Sequence, residues 1–316
     1  MARTALTIPR DRDNAVLEVD GREVRVTNLR KIFWQGLGAT KGDLLQYYAD
    51  VATALLPHVR DRAMVMKRYP HGASGDFFFM KRAPSPRPPW IRTCTIDHGH
   101  GNVIDFPVID DRAALMWVVN LGCIDLNQWY ARCDDIDRPD YVHFDLDPGA
   151  GATFDHVREA AGIVHEALET LKMPSFVKTT GSKGLHVYVP IVRGPVQKDV
   201  WRFAKALAVE LASRNRKLLT SEYKVANRPK GTVLVDYNQN AWGQTLASVY
   251  SVRPRPEATV STPVSWEEVE RGLRIEDFTM MNVPARVRTI GDLWKPLYAS
   301  RRRVDLGRLL RSDAGS

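Results

Sequence analysis

Residues 141–149 read Tyr-Val-His-Phe-Asp-Leu-Asp-Pro-Gly, an apolar run that ends in two carboxylates and stops at Pro148 and Gly149. Side chains alternate across a strand, so Asp145 and Asp147 share one face and Leu146 points to the other. Both acids therefore sit at the carboxyl end of the strand, beside a loop. Two close carboxylates repel, and near neutrality both stay ionised only with a cation to hold them. Oxygen ligands select a hard divalent ion, Mg²⁺ or Mn²⁺. By itself the D-x-D spacing also describes solvent-facing acids at a strand end, or the acid pair of a sugar-nucleotide transferase.

Outward from this strand, the pattern mixes hairpins with helix-connected strands. AVLEV-DG-REVRV (15–26) alternates around Asp20-Gly21 and predicts a hairpin with a type I′ turn. Thr40 caps a predicted helix whose apolar face is Leu44, Leu45, Tyr48, Val51, Leu55 and Leu56. Short strands are expected over 64–69, 76–81, 91–96 and 103–107, and a helix over 112–121. After strand 141–147 come a helix over 154–171, strands 175–180 and 185–190, a helix over 196–213 and strand 232–237. This order predicts an α+β fold with two β-sheets flanked by helices. The proline-rich stretch 82–90 reads as a rigid surface loop.

The chain has 316 residues and a formal charge of +8, with 44% hydrophobic and 26% charged residues, the balance of a globular protein. No apolar run approaches a membrane span and no secretory leader precedes residue 20, so a cytoplasmic location without a membrane partner is expected. Cys94, Cys123 and Cys133 form no C-x-x-C pair, which excludes a cysteine zinc site and leaves inert thiols as the preferred reading. The positive balance favours a polyanionic partner. The C-terminal stretch 301–316 is a basic tail, read either as a helix lying on the domain or as an arm touching phosphates.

A third acid, Asp236, ends the apolar run of 232–238 and suits a strand beside the first; the competing reading is a strand-end acid capping a turn. Three carboxylates around one spot can hold two ions for in-line displacement at a phosphorus. Phe176–Pro190 reads as strand, polar turn, strand, with Gly181, Ser182, Lys183 and Gly184 in the turn and His186 just after it. Its glycines let backbone N–H groups approach an anion, Ser182 adds a hydroxyl and Lys183 a charge, though an ordinary hairpin turn has the same composition. The G-K-[ST] helix of a Walker loop does not follow.

HFDLDPG, TGSKGLHVYVP, VDYNQN and SVRPRP, in this order, resemble the polymerase domain of bacterial non-homologous end-joining ligase D, of the archaeo-eukaryotic primase superfamily. VTNLRKIFW, TKGDLLQYY, KRYPHG, FFFMKRAP, PPWIRT and DRPD extend the likeness over residues 26–296. The resemblance implies a primase-polymerase fold with an active-site cleft on an RRM-like sheet. It implies one catalytic domain over 1–300, with lobes of about 1–110 and 111–300, ahead of the tail.

It further implies two Mn²⁺ or Mg²⁺ ions on Asp145, Asp147 and Asp236, and NTP or dNTP substrates held by Ser182, Lys183, His186, Arg253 and Lys67. Lys31 and Lys41 match lysines that recognise a 5′-phosphate at a gap or break, and Lys41 falls where free N–H groups of a helix N-terminus would add to its pull. For this pair the plain reading is solvated surface lysines. Phe78 and Phe79 match a template-stacking pair; a buried strand over Phe77–Phe79 is the plain alternative.

Asn127 stands where ligase-fused relatives often carry a histidine, so a sugar contact there keeps a hydrogen bond and loses a charge. The implied function is template-dependent polymerisation onto a 3′-hydroxyl at gaps or double-strand breaks, near the bacterial nucleoid, with Ku and a DNA ligase as partners. Without ligase or nuclease sequence the chain reads as a stand-alone enzyme or an excised domain. A DNA-end-binding module with secondary catalysis is the alternative, and a D-x-D glycosyltransferase leaves the S-K-G-x-H segment unexplained.

Overall fold

The computed structural model describes residues 5–299 and 302–308. The chain packs into two compact units: one comprises the residues up to Trp129 with Ala247–Ser261 and Phe278–Asp292; the other comprises Tyr130–Leu246, Thr262–Asp277 and the chain from Leu293. The border follows Trp129 instead of residue 110, because strand Cys123–Gln128 is paired along its length with Met64–Arg68 and cannot leave that sheet.

In the first unit, Cys123–Gln128, Met64–Arg68 and Phe78–Met80 form an antiparallel sheet in that order. Cys123–Gln128 is buried at every position, its polar residues Asp125 and Asn127 included. Helix Lys41–Val59 starts at a full capping box: the Thr40 hydroxyl accepts from the Asp43 N–H, and the Asp43 carboxylate accepts from the Thr40 N–H at 2.9 Å. The six apolar residues read for its inner face are all buried. Ala15–Val19 and Arg22–Val26 pair as expected, with Asp20 and Gly21 at positive φ (52° and 77°) in the turn.

The second unit is built on a six-stranded sheet in the order Leu219–Thr220, Val233–Asp236, Tyr141–Pro148, Leu185–Pro190, Phe176–Thr179, Pro263–Val264. The first neighbours are parallel; the rest are antiparallel. Helices Phe154–Thr170 and Gln197–Arg214 pack on it, the first with the larger apolar asymmetry and Val157, Ala160, Ala161, Val164 and Leu168 inward. Of the basic tail only 302–308 is described: Val304 bridges Ile191, and Arg303 donates to the carbonyl of Asp140 at 3.1 Å. Residues 301 and 309–316 of that tail lie outside the described residues. Among the described residues no helix is long and apolar enough to cross a membrane.

Candidate functional site

Strand register in the second unit does what alternation alone does not. Asp145 is directly opposite Asp236 on one side and His186 on the other, and His186 is opposite Lys178. Directly opposed residues share a face, so Asp236, Asp145, His186 and Lys178 form a row across four strands, with Asp147 on the same face. All four members of the row are buried, Lys178 to 1% exposure. His186 Nε2 lies 3.1 Å from Asp145 Oδ1. Burial first, and the neighbouring Asp145 second, raise the pKa of Asp236.

VDYNQN is more than a carrier for Asp236. Asp236 Oδ1 accepts the Asn238 N–H at 2.8 Å, and Oδ2 accepts from Gln239 Nε2 at 3.2 Å. Asn240 then continues the sheet with its side chain, accepting from the His143 N–H (3.1 Å) and donating to the His143 carbonyl (2.7 Å). Asn238 and Gln239 of the motif therefore fix Asp236, and Asn240 fixes the strand opposite it. Lys178, lying in the plain apolar strand Phe176–Thr179, carried no signal in sequence beyond its place before the polar turn.

The donor set is chemically suited to a hard divalent ion: three carboxylates on one face, one of them with its proton affinity raised by burial. Among the described residues no three His, Cys, Asp or Glu side chains stand close enough together to hold a metal ion between them.

The turn after Thr179 corrects one expectation. The N–H groups of Ser182, Lys183 and Gly184 all point at Thr180 Oγ1, at 3.1, 3.1 and 3.0 Å, so the turn's backbone is satisfied internally. Any anion there meets side chains, of which Ser182 is partly exposed and Lys183 exposed. Gly184 is required for packing: a Cβ would lie 2.1 Å from the Leu146 carbonyl oxygen. The same close approach brings the turn to Asp147, whose Oδ1 would lie 3.5 Å from that Cβ.

The first unit gathers the cations. Lys31 and Lys41 are ten positions apart, and the Lys41 N–H donates to the Lys31 carbonyl at 2.9 Å. Lys31 Nζ donates to the Pro70 carbonyl at 2.8 Å and Lys41 Nζ to that of Thr27 at 2.7 Å. Lys41 is buried; burial, then Lys31 and Arg68, pull its pKa down to about 8. The expectation of free N–H groups at this helix start does not hold. Those of Lys41, Gly42 and Asp43 donate to Lys31 O, Leu29 O and Thr40 Oγ1, because the entering chain is tied to the helix.

Phe77, Phe78 and Phe79 are 50, 45 and 58% exposed, which removes the buried-strand reading. Lys67 Nζ sits 4.0 Å from the centre of the Phe77 ring and 5.5 Å from those of Tyr69 and Phe79, and Arg68 lies 5.1 Å over Phe78. Arg253 pairs through Nε with Asp125 at 3.3 Å, and Asn127 Nδ2 donates to the Asp125 carbonyl at 3.1 Å. Cys94 and Cys123 are buried and Cys133 partly so, all three as free thiols.

The model of the family described as LigD, primase-polymerase domain matches residues 40–294. The multifunctional non-homologous end joining protein LigD of Mycolicibacterium smegmatis is 32% identical over 282 residues, 87% of this chain and 36% of that protein. The bifunctional non-homologous end joining protein LigD of Bacillus subtilis is 28% identical over 85% of this chain and 43% of its own length. The chain thus spans less than half of these relatives. The polymerase domain from Mycobacterium tuberculosis ligase D, solved in complex with DNA, matches with a TM-score of 0.82 at 30% identity, over 87% of this chain and 98% of that one.

Proposed function

Because the chain belongs to the LigD primase-polymerase domain family, a family of metal-dependent nucleotidyl transferases, we propose that it extends a DNA 3′-hydroxyl opposite a template at gaps and double-strand breaks, as in non-homologous end joining. The observation that carries the reading is the register that sets Asp145 opposite both Asp236 and His186, with Asp147 on the same face.

Asp145, Asp147 and Asp236 are the residues that would hold two Mn²⁺ or Mg²⁺ ions, which, when bound, supply counter-charge to the triphosphate and acidify the attacking hydroxyl. The protein's own contribution is placement. Asn238 and Gln239 hold both oxygens of Asp236, and His186 braces Asp145. Ser182 and Lys183 offer a hydroxyl and an ammonium to the phosphates of an NTP or dNTP, and His186 faces the same row. In the first unit Arg253, Lys67 and Asn127 are assigned to the nucleotide, Lys31 and Lys41 to a downstream 5′-phosphate, and Phe78 and Phe79 to template bases. Base pairing selects the nucleotide, so the protein needs charge and geometry and no base readout. Ku and a DNA ligase, at the nucleoid of a bacterial cytoplasm, complete the proposed setting.

The test is primer extension on a 5′-phosphorylated one-strand gap, with NTPs and dNTPs side by side and Mg²⁺ or Mn²⁺. Wild type should extend. Asp145→Ala with Asp147→Ala should abolish extension while gap binding stays within several fold; retained extension rejects the catalytic assignment.

A further inference from the structure

Asp125 is buried to 1% exposure, on a strand whose register sets it opposite Lys67. Its Oδ2 is 3.3 Å from Arg253 Nε, its Oδ1 is 3.4 Å from Asn127 Nδ2, and the Ser251 hydroxyl approaches Oδ1 at 3.5 Å. Lys67, Asn127 and Arg253 are the residues of this unit assigned above to the nucleotide. They come from three separate stretches of sequence and meet at one acid that no part of that assignment uses.

Burying a carboxylate this deep is costly unless it is paired with positive charge. The cations gain as well. An arginine without a fixed partner spreads over many rotamers, and ordering it on nucleotide binding costs affinity. Arg253 is 21% exposed at its side chain, against 2% for Asp125, so the pair has one buried and one accessible end. Burial lowers the pKa of Lys67, and Asp125 acts in the opposite sense, favouring the ammonium.

We infer that Asp125 is a positioning residue for nucleotide binding: it holds Arg253 through an ion pair at the Nε edge of the guanidinium and supports the charge of Lys67, and touches no substrate itself. The inference rests on the reading of Arg253 as a nucleotide-binding residue, and the experiment separates the two.

Steady-state extension is measured for Asp125→Asn, Arg253→Ala and the double variant, with nucleotide as the varied substrate and thermal melting as the check on folding. Expected are a rise of about tenfold in nucleotide KM for each single variant, little change in kcat, and a double variant well short of the product of the two, since both remove the hold on Arg253 and only the support of Lys67 is lost in addition. Arg253→Lys, at a partly exposed position, is the second variant. It keeps the charge and loses the Nε edge, so it should show most of the same rise, whatever the folding of Asp125→Asn. A normal KM in Arg253→Lys or Asp125→Asn beside a raised one in Arg253→Ala overturns the role of Asp125, as do additive effects or tighter nucleotide binding in Asp125→Asn. A normal KM in Arg253→Ala overturns the nucleotide reading of that arginine, and this inference with it.

Discussion

The acid row of the second unit and the lysine pair of the first are assembled by opposite means. Asp236, Asp145 and His186 are neighbours because three strands pair in one register, so their spacing is a property of the backbone. Lys31 and Lys41 also meet through one backbone hydrogen bond, but their ammonium groups are aimed by single contacts to the carbonyls of Pro70 and Thr27. In both sites burial acts first and like charge second: Asp236 is pushed up by burial and then by Asp145, and Lys41 is pulled down by burial and then by Lys31. A site set by register fails when the backbone moves. A site set by side chains fails when a charge is lost.

The sharpest way to break the first is Gly184→Ala. The added Cβ has no flexible neighbour to displace, since the Leu146 carbonyl is 2.1 Å away, so the strand bearing Asp145 and Asp147 must shift. A loss of about 3 kcal/mol in unfolding free energy is expected, together with a loss of extension larger than the loss of DNA binding. A denaturation midpoint equal to wild type would show that the sheet yields there. For the lysines, Lys31→Ala with Lys41→Ala should remove the preference for a 5′-phosphate over a 5′-hydroxyl gap, about hundredfold at roughly 1.5 kcal/mol per charge-assisted contact. Melting should hardly change, and an unchanged phosphate preference in gap-binding titrations rejects the pocket.

A smaller effect sharpens the contrast without any mutation. The ammonium of Lys41 is present below pH 8 and is lost as pH rises through it, so phosphate preference should fall about tenfold between pH 7 and pH 9. Stability moves the other way. A lysine whose folded pKa lies below its unfolded value of 10.5 binds fewer protons when folded, so this group's contribution to stability rises as pH goes from about 8 toward 10.5. Lost recognition with an unchanged or higher melting temperature therefore identifies Lys41; a flat pH profile of the preference would exclude it.

Much of the fold was legible because its signals are local. The D-G turn, the Thr40 capping box and the apolar face of the following helix each depend on residues within one or two turns of chain. Strand Cys123–Gln128 was missed although Ile124, Asp125, Leu126 and Asn127 alternate, since its polar face is buried by partners distant in sequence; Asn127 was singled out only through the resemblance, and Asp125 not at all. The two expectations of free N–H groups failed for one cause. Free N–H groups were inferred from glycine and a helix start, while the partners that occupy them, Thr180 Oγ1, Lys31 O and Leu29 O, are supplied by the folded chain.

By itself the sequence determined that Asp145 and Asp147 share a face at the end of a strand, because alternation is a property of the backbone between neighbours. Only the tertiary structure decided that Asp236 and His186 stand on either side of Asp145, that Lys31 meets Lys41, and that Asp125 lies under Lys67 and Arg253. Pairing and register join residues far apart in the chain, and they are chosen by burial of the whole sheet rather than by any one segment.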